Sequence, residues 1–205
     1  MISDEWGPSM NLSLINDTMS QMLAMALACE PALLIADEPT TALDMMTQAS
    51  ILALLRELRE ALGMTLLLVA HDLAVVGELC DDVVVLYAGQ VVERGPAASV
   101  LRAPSHPYTK ALLASVPPLK PPARRRGEKG PRLPVIEGRP GDARERPTGC
   151  RFRDRCTVAV ELCARDMPDL LPLARHRDDP AGESLVRCFV ARDAAADIAR
   201  MGSPS

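Results

Sequence analysis

The sequence predicts an α/β protein built on a parallel β-sheet, and two stretches of the chain support this prediction. An uninterrupted apolar run at 33–36 leads into Asp37, Glu38 and a proline. A second run of the same kind, at 65–70, ends in His71. Apolar runs of this length are typical of parallel strands that are buried on both faces. Because open α/β sheets bind ligands at the carboxyl ends of their strands, the polar residues after each run predict a binding site.

Helical periodicity is found on both sides of the first strand. A helix is expected over residues 18–29, where Met22 and Met25 recur at helical spacing and are expected to pack in the core. A second helix is expected to follow Asp44, a suitable N-cap, and to end at Gly63. One face of the second helix is apolar through Ile51, Leu55, Leu58 and Leu62.

The middle of the chain is predicted to form a hairpin, a helix and a linker. Strands are expected at 82–87 and 90–94, around a tight turn between them. Pro107 is suited to the first turn of a helix. Residues 117–147 are rich in proline and arginine, which favours a solvated linker with one short strand at 133–136.

Composition and charge exclude several classes of protein. Of the 205 residues, 48% are hydrophobic but only 2% are aromatic, so aliphatic side chains and methionine must fill the core. The net charge of -4 argues against a general nucleic-acid-binding protein. The sequence has no apolar run long enough to span a bilayer and no signal-peptide pattern at its start. We therefore expect no direct membrane insertion, and any membrane association through a partner.

The adjacent carboxylates of Asp37 and Glu38 suit chemistry on a nucleotide. One carboxylate can hold Mg²⁺, and the next can orient or deprotonate a water molecule that attacks the terminal phosphate. An acidic loop after a strand is also common without any catalytic role, so the pair alone leaves both interpretations open.

A longer stretch around these carboxylates identifies a family. Leu33–Asp44, Leu-Leu-Ile-Ala-Asp-Glu-Pro-Thr-Thr-Ala-Leu-Asp, closely resembles the Walker B and D-loop segment of ATP-binding cassette (ABC) ATPases. His71 resembles the switch histidine of the same family. The resemblance implies that Asp37 holds Mg²⁺, that Glu38 is the general base and that His71 contacts the γ-phosphate of ATP. It also implies that Asp44 communicates across a nucleotide-sandwich dimer.

The phosphate-binding elements of the family are matched only in part. The signature is represented by Asn11–Asp17, in which Ser13 matches the phosphate-capping serine but the two glycines are absent. Ser13 is equally suited to capping a helix. The chain contains no Gly-Lys pair, and so no P-loop, and no glutamine upstream of Leu12. The resemblance therefore implies a truncated or N-terminally divergent subunit that we expect not to bind ATP alone.

The segment His106–Leu113, His-Pro-Tyr-Thr-Lys-Ala-Leu-Leu, resembles the C-terminal region of the oligopeptide, dipeptide and nickel branch of ABC importers. That branch has a similar cysteine pattern after this segment, and some members are thought to hold a [4Fe-4S] cluster there. The corresponding cysteines here are Cys150, Cys156, Cys163 and Cys188.

Four thiolates in a short segment suit a metal centre, because ligation can fold what hydrophobic burial cannot. Cys₄ ligation fits a [4Fe-4S] cluster, and the arginines at 151, 153 and 155 would offset its negative charge. Zn²⁺ is the alternative, although the C-x-x-C pairs of a zinc ribbon are absent, and free thiols or disulfides are a third. Cys29 and Cys80 are expected to be small apolar fillers on core helices.

These observations lead to one main hypothesis and one alternative. Residues 1–104 are expected to form the C-terminal part of an ABC nucleotide-binding domain, 105–190 the cysteine-containing extension, and 191–205 a tail. The resemblance implies an ATP-binding and ATP-hydrolysing subunit of a peptide importer, peripheral at the cytoplasmic face of the inner membrane. Its implied partners are a second ABC ATPase subunit and transmembrane permease subunits. The alternative is a non-catalytic remnant or assembly module that retains a Cys₄ metal domain.

Overall fold

The computed structural model describes residues 17–41, 43–117, 134–139, 148–173 and 184–191. The chain divides into two compact units, Met1–Leu79 and Cys80–Ser205. Ser13, for which a phosphate-capping role is predicted, lies outside the described residues. No helix within the described ranges is long and apolar enough to cross a membrane.

The first unit is an α/β structure with parallel strand pairing. Its described elements, in chain order, are α1 (Asp17–Leu27), β1 (Leu33–Asp37), α2 (Met45–Leu62), β2 (Thr65–Val69) and α3 (Leu73–Leu79). Strands β1 and β2 pair in parallel, from Leu33 opposite Thr65 to Asp37 opposite Val69. A parallel pair needs a long crossover, and α2 supplies it. The predicted fold class, α/β with a parallel sheet, is confirmed.

Helix α2 follows from its sequence at both ends and along one face. The Asp44 carboxylate accepts hydrogen bonds from the backbone N–H groups of Met46 at 3.0 Å and Thr47 at 3.1 Å, so it satisfies two amides that have no partner within the helix. Gly63 ends the helix with φ 62°, a conformation that glycine adopts without strain. The inner face of α2 packs against β1 in a core of Leu34, Ile51, Leu54, Leu55, Leu58 and Met64.

The outer face of the β1–β2 sheet differs from its prediction. Burial on both faces was expected, but the side chains of Leu33, Ile35, Leu67 and Val69 are about half exposed or more. Two strands with a helix on one side leave the other side of the sheet without a covering layer among the described residues. An apolar run cannot by itself reveal this, because it does not say which elements lie beside the strands.

Helix α1 packs through a different face from the one predicted. Met22 and Met25 were expected in the core, but their exposed fractions are 62% and 79%. Leu23 and Leu27 pack against the core instead. The two cysteines expected on core helices lie just beyond helix ends, with Cys29 exposed and Cys80 only partly buried.

The second unit combines a small antiparallel sheet with short helices. Its described elements are β3 (Asp82–Tyr87), β4 (Gln90–Pro96), α4 (Ala97–Arg102), α5 (Pro107–Ala114), a 3-10 turn (Arg153–Arg155), α6 (Leu162–Arg165), β5 (Leu171–Pro172) and β6 (Leu185–Val186). The strand order is β3-β4-β6-β5. The β3–β4 hairpin and the helix that starts at Pro107 agree with the prediction.

The hairpin turn and an aromatic cluster anchor this unit. Ala88 and Gly89 both have positive φ, 47° and 75°, as a two-residue type I′ turn requires. The ring of Tyr87 lies 5.1 Å from Phe152 and 4.8 Å from Tyr108, centroid to centroid. Tilted and edge-to-face ring contacts such as these add to the apolar burial in a chain with few aromatic residues.

Arginine side chains hold the irregular segments of the second unit. Arg155 donates hydrogen bonds to the carbonyl oxygens of Glu137 at 2.8 Å and Ile136 at 3.0 Å. Arg187 does the same for Val91 at 2.8 Å and Pro168 at 2.9 Å. The short strand predicted at 133–136 does not form over the described residues 134–136. Arg155 binds the carbonyl oxygens of this segment only at Ile136 and Glu137.

Gly149 allows two segments of the second unit to approach closely. Its φ is 78°, and a Cβ atom at this position would lie 2.3 Å from the carbonyl oxygen of Cys163. The backbone N–H of Cys150 donates to that same oxygen at 2.8 Å. Only glycine permits this conformation and contact together.

Candidate functional site

The polar residues after β1 and β2 meet at the same edge of the parallel sheet. Asp37 ends β1 opposite Val69, which ends β2. The next residue, Glu38, has φ 45° and donates its backbone N–H to the Val69 carbonyl oxygen at 2.8 Å. This hydrogen bond holds Glu38 at the end of β2, close to His71, which follows that strand.

Glu38 makes two side-chain contacts. Its Oε2 atom accepts a hydrogen bond from the Thr41 hydroxyl at 2.8 Å, and its Oε1 atom lies 3.2 Å from Nδ1 of His71. The hydrogen bond from Thr41 lowers the pKa of Glu38, and the contact with His71 lowers it further. The side chains of Glu38 and His71 remain accessible, with exposed fractions of 45% and 76%. An ionised, accessible carboxylate beside an imidazole can accept or relay a proton.

The other residues predicted at this site, Asp37 and Asp44, are exposed. Asp44 is occupied in capping α2, where the hydroxyl and backbone N–H of Thr47 lower its pKa. Asp72, next to His71, accepts the backbone N–H of Ala74 at 2.9 Å and so begins α3. The structure thus brings Glu38 and His71 into contact, while Asp37 and Asp44 have no contact with either of them that the structure records.

The predicted metal ligands do not form a complete metal cage. No group of three or more His, Cys, Asp or Glu residues within the described ranges is placed to hold a metal ion. This finding leaves the magnesium prediction for Asp37 open, because Mg²⁺ is commonly held by one or two carboxylates together with substrate phosphates.

The four clustered cysteines line one small cavity of the second unit: Cys150, Cys156, Cys163 and Cys188. All four are free thiols. The cavity has about 10 Å³ of free space, room for about one water molecule, so it is smaller than an iron–sulfur cluster as it stands. The four thiols therefore converge on one cavity but are not placed to hold a metal ion within the described residues, so the [4Fe-4S] and Zn²⁺ predictions are not confirmed.

The arginines between these cysteines, which were expected to offset the charge of a cluster, each donate hydrogen bonds to backbone carbonyl oxygens. Arg151 donates to Ala88, and Arg153 donates to Thr148 and to Ala164, the latter at 3.1 Å. They stabilise loops that have little apolar core.

Burial raises the pKa values of the thiols of Cys150, Cys156 and Cys188, and the neighbouring thiols raise them further. The metal-free thiols are therefore protonated at neutral pH, and they must lose protons before they can ligate a metal.

Comparison with known proteins finds a family similarity in the middle of the chain. Residues 92–163 match the family model described as the oligopeptide/dipeptide transporter C-terminal region. These residues are similar to that C-terminal region. We call residues 92–163 the transporter C-terminal region below.

Curated relatives extend the similarity beyond the transporter C-terminal region. The probable peptide ABC transporter ATP-binding protein y4tR of Sinorhizobium fredii is 48% identical over 149 residues, which are 73% of this chain and 43% of that protein. The dipeptide transport ATP-binding protein DppD of Haemophilus influenzae is 48% identical over 154 residues, 74% of this chain and 44% of that protein. The family resemblance is confirmed, and the chain spans less than half the length of these relatives.

Two solved structures also match part of the chain. A dimeric, post-hydrolysis ATP-binding cassette, MJ0796, bound to ADP and Pi is 34% identical and covers 38% of this chain and 34% of its own, with a TM-score of 0.36. CbiO1 from Clostridium perfringens, part of the ABC transporter complex cbiONQ, is 34% identical and covers 44% of this chain and 37% of its own, with a TM-score of 0.39.

Within the transporter C-terminal region, Glu93 is a buried carboxylate that the sequence pattern did not indicate. This carboxylate is 2% exposed and accepts backbone N–H groups from Ser105 at 2.7 Å and His106 at 3.0 Å. A buried carboxylate needs such donors, and here they position the start of α5. The strand register shifts between Val85 and Leu86, so simple alternation along the hairpin does not reveal that Glu93 is buried.

His106 is the buried N-cap of α5 and is expected to make the second unit sensitive to acid. Its Nδ1 atom accepts the backbone N–H of Tyr108 at 3.0 Å, and burial lowers its pKa to about 4. An unfolded histidine has a pKa of about 6.5. Above pH 6.5 the His106 side chain is neutral in both the folded and the unfolded chain, so it takes nothing from the free energy of unfolding. As pH falls from 6.5 to 4, the histidine gains a proton only in the unfolded chain, so the free energy of unfolding falls by up to about 3 kcal/mol.

Urea unfolding at pH 7.5 and pH 4.5, followed by the near-UV circular dichroism of the tyrosines, checks this expectation. His106→Asn is the control, because asparagine can cap the helix but does not titrate. We expect the variant to lose less stability between the two pH values than the unmodified chain. Equal losses would show that other groups cause the acid sensitivity.

Proposed function

We propose that this chain serves as part of the ATP-binding and ATP-hydrolysing subunit of a peptide ABC importer. The observation that carries the proposal is the 3.2 Å contact between Glu38 and His71 at the carboxyl ends of two paired parallel strands. The peptide and dipeptide transporter names of the relatives support the class of cargo.

In the proposed mechanism each residue has one role. Asp37 would hold Mg²⁺, which when bound would neutralise charge on the phosphate oxygens. Glu38 accepts a proton from the attacking water, and Thr41 orients its carboxylate. His71 contacts the γ-phosphate and stabilises the charge that develops there. The lowered pKa of Glu38 keeps it ionised at neutral pH, so it is ready to accept the proton.

The proposed assembly follows the family. Asp44 would communicate with a second ATPase subunit, and Ser13 would face the phosphate held by that subunit. Transmembrane permease subunits would use the energy of dimer closure, with this chain at the cytoplasmic face of the membrane. Because the chain spans less than half of its relatives, we propose that a competent site also needs elements from the part it does not match.

A chimeric protein tests this proposal. The matching segment of the H. influenzae dipeptide transport ATP-binding protein would be replaced by the corresponding segment of this chain. We expect Mg²⁺-dependent ATP hydrolysis by the chimera, and no submillimolar ATP binding by the 205-residue chain alone. A folded but inactive chimera would count against the assigned site.

A Cys₄ metal module is the second candidate function, and it is favoured by the convergence of four free cysteines on one cavity. In this case the lining side chains must move apart to admit a [4Fe-4S] cluster, whereas a single Zn²⁺ needs less room. Iron, sulfide and zinc assays on anaerobically purified protein separate these cases. The cluster predicts iron and acid-labile sulfide, both lost in Cys163→Ser. Colourless protein without sulfide or zinc would leave only free thiols.

A further inference from the structure

The imidazole of His71 has little around it that could hold its position. Its side chain is 76% exposed, and the contact that the structure records for it is the one with Oε1 of Glu38 at 3.2 Å. A side chain this exposed is not locked by packing, so its position depends on the backbone that supports it. That backbone leaves β2 on one side of His71 and enters α3 on the other.

The C-terminal end of α3 is bound to α2 by two arginines. Arg56 donates hydrogen bonds to the Glu78 carboxylate at 2.9 Å and to the Glu78 carbonyl oxygen at 3.3 Å. Arg59 donates to the carbonyl oxygen of Leu79 at 2.8 Å. The last carbonyl groups of a helix have no partner within it, so these bonds satisfy them and fix this end of α3 against α2.

The start of α3 is bound to the same helix by Gln48. Its Nε2 atom donates to Oδ2 of Asp72 at 3.5 Å, while Oδ1 of Asp72 accepts the backbone N–H of Ala74 at 2.9 Å. One oxygen of the carboxylate therefore holds α3, and the other is held by α2. Because the link from Gln48 is longer than those at the far end of α3, we expect the start of α3 to loosen first.

Helix α2 is a firm support for this link. The backbone N–H of Gln48 donates to the carbonyl oxygen of Asp44 at 2.9 Å, so Gln48 belongs to the first turn of the helix. Farther along the helix, Ile51 and Leu55 are fully buried in the core of the first unit. A side chain on a rigid helix positions its partner more precisely than one on a loop.

We infer that Gln48 is a positioning residue for His71: it fixes Asp72 against α2 and so sets where the imidazole, one residue earlier, lies relative to Glu38. The inference rests on the proposed function, which gives His71 its role at the γ-phosphate, and adds the residue that holds it in place. If Gln48 only stabilised the packing of two helices, its removal would lower the free energy of unfolding without displacing the imidazole from Glu38.

Nuclear magnetic resonance of the full chain, without nucleotide, tests the inference. The chain has three histidines, so His71→Asn identifies the signals of His71. The ¹⁵N chemical shift of its Nδ1 atom reports on the contact with Glu38, and Glu38→Ala gives the value without that contact. We expect Gln48→Met, which keeps the length of the side chain but removes its donor, to move the shift most of the way to the Glu38→Ala value.

A second variant and a control complete this measurement. Asp72→Ser should move the shift in the same direction, because serine can still cap α3 but has no second oxygen for Gln48. Gln21→Met, the same chemical change on an exposed part of α1, should leave the shift unchanged. Circular dichroism checks the folding of each variant, and Asp72→Ser decides the question if Gln48→Met does not fold. An unmoved Nδ1 shift in the folded variant would overturn the inference.

Kinetics of the chimeric ATPase give a second measurement. Gln48→Met should lower kcat about tenfold, since a displacement of about 1 Å at a reacting group can cost about 10²-fold. The KM for ATP should not change, because the interaction that is lost is made in the transition state. An unchanged kcat would also overturn the inference. If the unmodified chimera is inactive, the proposed function fails, whereas the Nδ1 shift still decides whether Gln48 positions the imidazole.

Discussion

Replacing Glu38 with glutamine in the chimeric ATPase is expected to lower Mg²⁺-dependent turnover by about 10²- to 10⁴-fold, the range for loss of a general base. Glutamine keeps the size of the side chain and can still accept the hydrogen bond from Thr41. It has no carboxylate to take the proton of the attacking water. Turnover of ATP is measured under saturating nucleotide, with binding measured in parallel.

The matched control is Glu57→Gln, the same chemical change on an exposed part of α2, which should leave turnover unchanged. ATP binding by the Glu38→Gln chimera should persist, because Asp37 is retained for Mg²⁺. Undiminished hydrolysis by the Glu38→Gln chimera would remove Glu38 from the mechanism and point to another base or to a contaminating enzyme.

Glu93→Ala is expected to lower the free energy of unfolding of the second unit by about 3–6 kcal/mol. The change removes two hydrogen bonds from backbone N–H groups to a buried carboxylate, each worth about 1.5–3 kcal/mol. It also leaves the amides of Ser105 and His106 without this acceptor at the start of α5. Urea unfolding followed through the tyrosine signal reports on this unit, because Tyr87 and Tyr108 both lie in it and the chain has no other tyrosine.

Two variants calibrate this result. Glu93→Gln keeps one acceptor oxygen and should cost less than Glu93→Ala. Arg94→Ala, the exposed neighbour on β4, should stay within about 0.5 kcal/mol of the unmodified chain, as surface changes usually do. If Glu93→Ala and Arg94→Ala unfolded at the same urea concentration, the carboxylate would not be supporting α5.

Local signals explain why several elements could be predicted. Helix α2 has its cap, its apolar repeat and its terminal glycine within one stretch of sequence, and all three agree. The turn at Ala88-Gly89 is equally local. The contact between Glu38 and His71 follows from a simple rule, since residues after two paired parallel strands meet at one edge. Their catalytic roles remain proposals.

Non-local packing explains what could not be predicted. The stripe of Met22 and Met25 on α1 is adjacent to the stripe of Leu23 and Leu27, and periodicity alone does not decide which one faces the core. The exposure of Leu33, Ile35, Leu67 and Val69 depends on elements beyond β1 and β2, which an apolar run does not specify. The carbonyl oxygens that Arg155 binds lie nearly twenty residues away in sequence, so composition alone does not reveal these hydrogen bonds.

The close approach at Gly149 bears on how relatives of this chain should be judged. Any side chain there would collide with the Cys163 carbonyl oxygen and push Cys150 away from it. A homologue could therefore keep every cysteine and still lose the thiol-lined cavity through one change at the glycine. The presence of a glycine at position 149 therefore indicates whether a homologue keeps the cavity better than the number of its cysteines does.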